Sequence, residues 1–349
     1  MPTVVHLLPH PGGGAETYID VLEGLEGYHH ERIPLSTTRA RGRGAAEVIA
    51  RWPRIVRAVR GADLVHVHGD TVAILSSRLL AERPSVITPQ GLHRLRRVRG
   101  ASVWAARRGL RAAIAAAART ACSARAERDD LAAILPPGLH PRLVVVPNGI
   151  PIPPPTEPSR RRRARRALGL EDDELVALFV GRLEPRKDPL TAIAATEEAR
   201  AREAALVLLV AGTGPLGSRV AAHEGDAVRT LGHRDDVDEL YAAADMFVAP
   251  SLREGMSFAL LEAMSHGLVP VVSDGPGNAE AVGSAGVVFP AGDEAALAAR
   301  LRDLAADPAA RARLGAAARD RVESAHGAPA FVRRMRELYA AIERERAPG

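Results

Sequence analysis

Short apolar runs alternate with longer stretches rich in alanine, leucine and arginine along the whole chain. The runs lie at 3–8, 64–68, 85–89, 119–123 and 142–147, and a second series lies at 175–181, 205–212, 228–232, 246–250, 269–273 and 286–290. Strands that are apolar on both faces and separated by helices are typical of parallel sheets covered on both sides. The pattern therefore predicts an α/β protein with two doubly wound domains.

The length of 349 residues also favours two domains. The segment PIPPPTEPS at 151–159 is too rich in proline for a helix or sheet, so we predict a stiff linker there. It separates an N-terminal domain, 1–150, from a C-terminal domain, 160–328. In the remainder, 329–349, apolar residues recur at helical spacing and predict a helix with one apolar face. They are Phe331, Met335, Leu338, Tyr339 and Ile342.

The charge of the chain bears on its partners. A formal net charge of +5 would suit nucleic acid or an anionic membrane, but aromatic residues make up only 3% of the chain, which argues against single-stranded nucleic acid. We expect the basic clusters at 94–100 and 160–166 to be solvated surface, with peripheral membrane contact as the alternative. The sequence shows neither a long apolar run nor a signal peptide, and we predict a cytoplasmic protein. A single cysteine, Cys122, rules out an internal disulfide or a cysteine metal cluster.

Some polar residue types are very rare in this chain. Of its 47 lysine and arginine residues only Lys187 is a lysine, Gln90 is the one glutamine, and Asn148 and Asn278 are the two asparagines. All four are predicted to lie in loops at strand ends. Ligands of parallel α/β sheets bind outside the carboxyl ends of the strands, so these loops are the first place to look for a site.

Two strand-end loops have features that suit phosphate. HPGGGAE at 10–16 leads into a helix from about Ala15, and its glycines, Gly13 and Gly14 among them, would let backbone N–H groups approach an anion. A flexible turn without a ligand is the alternative. In GRLEPRKDP at 181–189, Arg182 and Lys187 stand five residues apart and would suit a diphosphate.

The segment REGMSFALLEAMSHG at 253–267 places two glutamates in an apolar context. We predict that Gly255, Met256 and Ser257 open a helix whose first turn receives phosphate, while Glu254 reaches in from the preceding loop. Glu262, one to two turns into that helix, could accept both hydroxyls of a ribose. Its alternative role is an ion pair with a core arginine, because a buried carboxylate needs a partner.

Metal sites have little support in the sequence. The Asp-Val-Asp run at 236–238 is better explained by acidic residues at a helix start. His66 and His68 share one strand face, but no third ligand lies at metal-site spacing, and we expect them in a core or at a cleft edge.

An ordered set of motifs resembles one enzyme family over nearly the whole chain. The pieces are PGGGAE, ITPQG, VVPNGI, FVGRLEPRKD, LLVAGTGP, LGHRDDVDELYAAADMFVAPS, REGMSFALLEAM and GPGNAEAV. The chain is similar to retaining glycosyltransferases of the GT-B fold, the "group 1" enzymes of glycosyltransferase family 4. That resemblance implies two Rossmann-like domains facing across a cleft, and transfer of a hexose from a nucleotide sugar, UDP- or GDP-linked, to an acceptor hydroxyl without a bound metal or other cofactor.

The resemblance also implies roles for individual residues. Arg182 and Lys187 would hold the diphosphate, Glu254 a hydroxyl of the donor sugar, and Glu262 the ribose. Gly13 and Gly14 would lie near the donor phosphates, and the loop around Asn278 would add backbone contacts. The last helix would cross back onto the N-terminal domain. The acceptor, a small molecule, glycan or lipid-linked compound, is not specified by these motifs, and neither is the oligomeric state.

One position departs from the family pattern. Gln90 stands where the family often has a histidine that contacts the donor sugar. Glutamine can donate and accept hydrogen bonds but cannot carry that histidine's proton, so Gln90 has a positioning role, His93 substitutes, or activity is weak. A nucleotide-sugar epimerase or hydrolase of the same fold, and a non-catalytic subunit that binds sugar nucleotides, are the alternative functions.

Overall fold

The computed structural model of the chain describes residues 1–37, 44–92, 100–202 and 205–346. The chain divides into two compact units, each built on one parallel sheet. The first unit comprises Met1–Gly149 and Ala328–Gly349, and the second comprises Ile150–Gly327. Among the described residues, no helix combines the length and apolar character needed to cross a membrane.

The first unit contains a six-stranded parallel sheet with the strand order β2-β1-β3-β4-β5-β6. Its strands are β1 (Thr3–Leu8), β2 (His29–Pro34), β3 (Leu64–His68), β4 (Ser85–Thr88), β5 (Arg119–Cys122) and β6 (Leu143–Val145). The helices between them are α1 (Gly14–Leu22), α2 (Gly44–Gly61), α3 (Asp70–Ser76), α4 (Ala101–Ala116) and α5 (Arg125–Ala132). The strand order reverses between β1 and β3, and open α/β sheets form a crevice at such a point.

Strand β2 is absent from the sequence prediction. Its sequence, HHERIP, is mostly polar, and only Ile33 of the six residues is fully buried. The strand pairs with β1 alone, at the edge of the sheet. An edge strand with an exposed face needs no continuous apolar run, so the criterion that found the central strands misses it.

The second unit contains a six-stranded parallel sheet with the strand order β12-β11-β10-β7-β8-β9. Its strands are β7 (Leu175–Val180), β8 (Leu206–Ala211), β9 (Val228–Gly232), β10 (Met246–Ala249), β11 (Val269–Ser273) and β12 (Val287–Phe289). Its helices are α6 (Pro158–Ala167), α7 (Pro189–Ala201), α8 (Gly217–Ala221), α9 (Val237–Ala243), α10 (Phe258–Ser265), α11 (Pro276–Val282), α12 (Glu294–Ala306) and α13 (Pro308–His326). Helix α6 begins at Pro158, so the last two residues of the predicted linker are helical, as suits proline at a first helical position.

Both faces of the second sheet are covered. On β7, Val176 and Leu178 join a core with Leu240 of α9 and Leu260 of α10, whereas the alternating residues Ala177 and Phe179 face the opposite core. That second core includes Ile193 of α7 and Leu297 of α12. The predicted pair of doubly wound α/β domains is therefore confirmed.

The final helix, α14 (Ala328–Arg346), is part of the first unit. Its predicted apolar face is buried, with Phe331, Met335 and Tyr339 fully enclosed. Phe331 packs edge-on against Tyr18 of α1 at a ring separation of 4.8 Å, and the Tyr18 hydroxyl lies 3.3 Å from the Met335 sulfur. The core of the first unit thus requires a helix that the chain adds after the second unit.

A cluster of buried histidines lies under that helix. His66 Nδ1 shares a hydrogen bond of 2.7 Å with the Tyr339 hydroxyl, and His66 Nε2 one of 2.7 Å with Thr88 Oγ1. His6 Nδ1 contacts His68 Nε2 at 3.0 Å. The core position predicted for His66 and His68 is confirmed, since both are fully buried.

The third histidine of this cluster was missed because it comes from another strand. His6 of β1 lies in register with His66 of β3, and one ring nitrogen each of His6, His66 and His68 lies within 4.8 Å of the others, close enough to share a metal ion. Both ring nitrogens of His6 and of His66 already take part in hydrogen bonds, His6 also to His30. We therefore interpret the cluster as a network of neutral imidazoles.

This cluster predicts a loss of stability in acid. Burial lowers the pKa of His6, His66 and His68, for His68 to about 3 from an ordinary value of 6.5. The unfolded chain takes up protons below pH 6.5 that the folded cluster rejects, so the free energy of unfolding should fall with pH below that value and be unaffected above it. Each histidine contributes a slope of about 1.4 kcal/mol per pH unit. Urea unfolding at pH 7.5, 6.5 and 5.5 measures this change in the free energy of unfolding.

Two variants test the assignment. His68→Gln should reduce the slope of unfolding free energy against pH below pH 6.5, because the unfolded chain then takes up one proton fewer. His29→Gln, a change at an exposed neighbouring histidine, should leave it as in the parent protein. An unchanged slope in His68→Gln would show that acid destabilisation arises elsewhere.

Candidate active site

The reversal of strand order in the second sheet marks the candidate site. From β7 the chain proceeds to β8 and β9 on one side, and β10 begins on the other side of β7. The loops that follow β7 and β10 therefore diverge, which opens a crevice at the carboxyl ends of these two neighbouring strands. Residues 181–188 follow β7, and residues 250–257 follow β10.

An ion cluster joins these two loops. Glu254 Oε1 accepts a hydrogen bond of 2.8 Å from Arg186 Nη1, and Glu254 Oε2 is in contact with Lys187 Nζ. Arg186 also donates to Glu184 through Nε at 2.8 Å. The Glu254 side chain is only 10% exposed, so both of its charge-assisted contacts lie in a largely dry environment.

The cations determine the ionisation of Glu254. Burial alone would raise the pKa of this carboxyl, but the adjacent Lys187 ammonium and Arg186 guanidinium outweigh burial and hold the pKa at about 2. Glu254 is therefore a carboxylate at neutral pH. It can accept hydrogen bonds from a ligand's hydroxyl groups but cannot serve as a proton donor.

The structure brings together only part of the predicted diphosphate pair. Lys187 lies in the ion cluster, whereas the Arg182 side chain is 55% exposed and pairs with Glu184 at 3.5 Å. Arg186, which the sequence analysis did not select, is the second cation that contacts Glu254. Nothing in the sequence distinguishes Arg186 from the many other arginines, whereas the rarity of Lys187 singled it out.

Close backbone contacts fix the surrounding loops. A Cβ on Gly277, at the start of α11, would lie 1.2 Å from the Gly255 carbonyl oxygen. A Cβ on Gly212, which follows β8, would lie 1.8 Å from the Gly181 carbonyl oxygen, and the φ of Gly212 is 145°. No other residue fits either position, so the backbone after β10 meets that after β11, and the backbone after β7 meets that after β8.

Asn278 is a buried amide beside these loops. It is 1% exposed, and neither its Oδ1 nor its Nδ2 has a hydrogen-bond partner within the described part of the chain. A buried amide without partners destabilises a fold by about 1–3 kcal/mol, so Asn278 is a candidate for contact with a ligand. The predicted loop around Asn278 is wrong, because the residue lies in α11, where Pro276 stands at the helix start.

Glu262 lies half-buried in α10. Its Oε2 accepts a hydrogen bond of 2.9 Å from the Tyr241 hydroxyl, and burial raises the pKa of its carboxyl. The alternative of a core arginine partner is wrong, since the buried partner is a tyrosine. The prediction that Gly255, Met256 and Ser257 open the helix is wrong, because α10 begins at Phe258, three residues after Gly255, and Ser257 is its N-cap residue.

The first unit holds the remaining predicted residues. Gly13, with a φ of 86°, precedes α1, and Gly14 is the first residue of that helix. Gln90 follows β4 with a φ of 54°, and its Nε2 is buried without a hydrogen-bond partner among the described residues. His93, the other candidate for this position, lies outside the described residues.

The Asp-Val-Asp run has the structural role predicted for it. Asp236 occupies the N-cap position of α9, and its carboxylate accepts two hydrogen bonds from Arg234. Asp238 lies in the first turn of that helix. Acidic side chains at a helix start interact favourably with its dipole.

Comparison with known proteins identifies both units. A family model described as "Glycosyl transferases group 1" matches residues 160–321, and one described as "Glycosyltransferase Family 4" matches residues 3–152. A D-inositol 3-phosphate glycosyltransferase of Kineococcus radiotolerans is 30% identical, and the match covers 83% of this chain and 74% of that protein. A protein of the same name from Streptomyces bingchenggensis is 32% identical, and the match covers 75% of this chain but only 63% of the relative.

A solved structure shows the same fold. HepE of Anabaena, crystallised with UDP-glucose, superposes with a TM-score of 0.81 over 98% of this chain and 100% of that one, at 17% identity. The fold of two doubly wound units is therefore shared with a protein of low sequence identity.

The glycine contact at α11 yields a prediction. Gly277→Ala should displace α11 from Gly255 and lower the melting temperature by several degrees, since overpacking typically destabilises by about 1–3 kcal/mol and each kcal/mol shifts a domain of this size by about 2–4 °C. Gly217→Ala is the matched control, because a Cβ at Gly217 has nothing within 4 Å. Calorimetry of both variants checks the prediction, and equal melting temperatures would contradict it.

Proposed function

The chain belongs to the group 1 glycosyltransferases, family 4, with the two Rossmann-like domains of the GT-B fold, and we propose that it moves a hexose from a nucleoside-diphosphate sugar to an acceptor hydroxyl with retention of configuration. The observation that carries this proposal is the Lys187–Glu254–Arg186 cluster, located where the second sheet reverses its strand order. This is where a parallel sheet binds nucleotides, and the cluster supplies both a carboxylate for sugar hydroxyls and cations for phosphate.

We assign the donor contacts as follows. Glu254 accepts a hydrogen bond from a hydroxyl of the donor sugar, and Glu262 one from the ribose. Lys187 and Arg182, joined by Arg186, neutralise the diphosphate, and Gly255, Met256 and Ser257 offer backbone N–H groups before α10. Asn278 gains from the donor the hydrogen bonds that its buried amide lacks within the described chain. Gly13 and Gly14 approach the phosphates, and Gln90 or His93 orients the sugar.

The cations then act mainly in the transition state. As the bond between sugar and diphosphate breaks, negative charge grows on the leaving oxygen, and a fixed ammonium nearby stabilises that charge more than the ground state. The departing diphosphate helps to accept the proton of the acceptor hydroxyl on the same face of the sugar. Because Arg182, Arg186 and Lys187 supply positive charge, this scheme needs no bound metal.

Similar proteins indicate which donors and acceptors to assay first. UDP-glucose occupies HepE, so UDP-sugars are the first donors to assay, with GDP-sugars next. The relatives named for D-inositol 3-phosphate make a phosphorylated polyol the first acceptor to assay. A cytoplasmic location, with or without contact to a membrane surface, remains a prediction.

Nucleotide binding tests the donor site without knowledge of the acceptor. Melting temperature is measured in EDTA with UDP, GDP, ADP or dTDP, each at about a hundred times its Kd, where binding adds about 2.7 kcal/mol. We expect a shift of several degrees with one base. No shift with any nucleotide would contradict the assignment of Lys187, Glu254 and Glu262.

Incubation of the protein with the donor alone, followed by NMR, separates a transferase from an epimerase or hydrolase.

Removal of the single lysine tests its catalytic role. Lys187→Ala should lower kcat at least about a hundredfold, the usual scale for one preorganised electrostatic contact. Arg202→Ala is the control, since it removes one exposed cation from the same unit, with a side chain 65% exposed. Initial rates at saturating donor give the comparison. Near-parental turnover in Lys187→Ala would remove Lys187 from the site.

A further inference from the structure

The segment that follows β4 is held in an unusual backbone conformation. Gln90, Gly91 and Leu92 have successive φ values of 54°, 100° and 53°. Left-handed conformations at residues with a side chain are disfavoured by about 1–3 kcal/mol each and persist only where their surroundings impose them. Two such residues flank Gly91, so something outside the segment must hold it.

Glu127 of α5 provides that hold. Its Oε1 accepts a hydrogen bond of 2.5 Å from the Gly91 backbone N–H. Its Oε2 accepts one of 2.8 Å from the Ser123 backbone N–H and one of 3.0 Å from the Ser123 hydroxyl. Glu127 is only 3% exposed, so these charge-assisted hydrogen bonds face little competition from water.

The carboxylate therefore ties two neighbouring strands together at their carboxyl ends. Gly91 lies in the segment after β4 and Ser123 directly after β5, and these strands are adjacent in the sheet. The peptide between Gln90 and Gly91 is fixed by this tie, and its orientation sets the direction of the Gln90 side chain. Gln90 Nε2 is buried and has no hydrogen-bond partner among the described residues, although an amide donor of this kind is normally satisfied.

We propose that Glu127 is a positioning residue: its carboxylate fixes the strained Gln90–Leu92 segment so that the Gln90 amide donates a hydrogen bond to an oxygen of the donor sugar or its phosphates. This inference rests on the proposed transferase function. It explains how a glutamine serves where a histidine is usual, because the backbone rather than the side chain is preorganised.

The test substitutes the carboxylate by an amide of the same shape. In Glu127→Gln one side-chain oxygen becomes an NH₂ group, so one of the two backbone N–H donors loses its acceptor and meets another donor. Asp63→Asn is the matched control: Asp63 Oδ2 accepts a hydrogen bond of 2.7 Å from the Thr3 backbone N–H at the opposite end of the same sheet. Gln90→Ala and the double variant Glu127→Gln/Gln90→Ala complete a cycle.

We expect Glu127→Gln to lower kcat about tenfold to a hundredfold, the scale for a misplaced contact, with the affinity for nucleoside diphosphate unchanged. In the Gln90→Ala background the same change should have little further effect, because Glu127 acts through Gln90. Asp63→Asn should keep parental kcat. Effects that multiply in the double variant, or a parental kcat in Glu127→Gln, would overturn the proposal.

A second measurement does not depend on the reaction. The Gly91 amide, protected by Glu127, should exchange its hydrogen faster in Glu127→Gln than in the parent or in Asp63→Asn. Unchanged exchange would overturn the proposal even in an active enzyme, whereas faster exchange in a protein with no transferase activity would support the tie and refute the proposed function alone. If Glu127→Gln does not fold, Glu127→Asp, which shortens the reach by one methylene group, takes its place in both measurements.

Discussion

The second unit depends on one buried carboxylate between two cations. Glu254 follows β10, and Arg186 and Lys187 follow β7. The contacts of Glu254 therefore join the two loops that diverge at the reversal of strand order. Removal of Glu254 would take the shared carboxylate from Arg186 and Lys187, which destabilises the fold more than the loss of a surface ion pair. If the cluster binds the donor as proposed, its charge is already oriented and largely desolvated before the donor arrives, which is the condition for electrostatic catalysis.

The first unit uses a carboxylate in a comparable way. Glu127 of α5 accepts hydrogen bonds from the backbone after β4 and after β5, whereas Glu254, which itself follows β10, accepts from two side chains that follow β7. In both units a single acidic residue joins the carboxyl ends of two adjacent parallel strands. The partners differ: in the first unit the carboxylate binds backbone N–H groups and holds a strained segment, and in the second it binds side-chain cations. The first arrangement fixes geometry, whereas the second also fixes charge.

Much of the fold was predictable because buried parallel strands have a strong signal. Each central strand is apolar on both faces, and the apolar spacing of Phe331, Met335 and Tyr339 identified a docked helix. Strand β2 escaped because an edge strand can be polar. Among the candidate site residues of the two units, rarity singled out Lys187, Gln90 and Asn278. Arg186 and Glu127 carry no such mark in a chain full of arginine and glutamate. His6 was missed for a related reason: its neighbours His66 and His68 come from another strand, and only sheet register brings them together.

The position of α14 has a consequence for the order of folding during synthesis. The ribosome must complete the whole of Ile150–Gly327 before it makes the helix that encloses Tyr18 and His66. Domains generally fold as units while the chain emerges from the ribosome. The first unit cannot complete its core when residues 1–149 emerge, because α14 has not yet been made. His66 stays without Tyr339, and Tyr18 without Phe331, until α14 has been made. The second unit, which is continuous in sequence, can therefore reach its native state before the unit that precedes it.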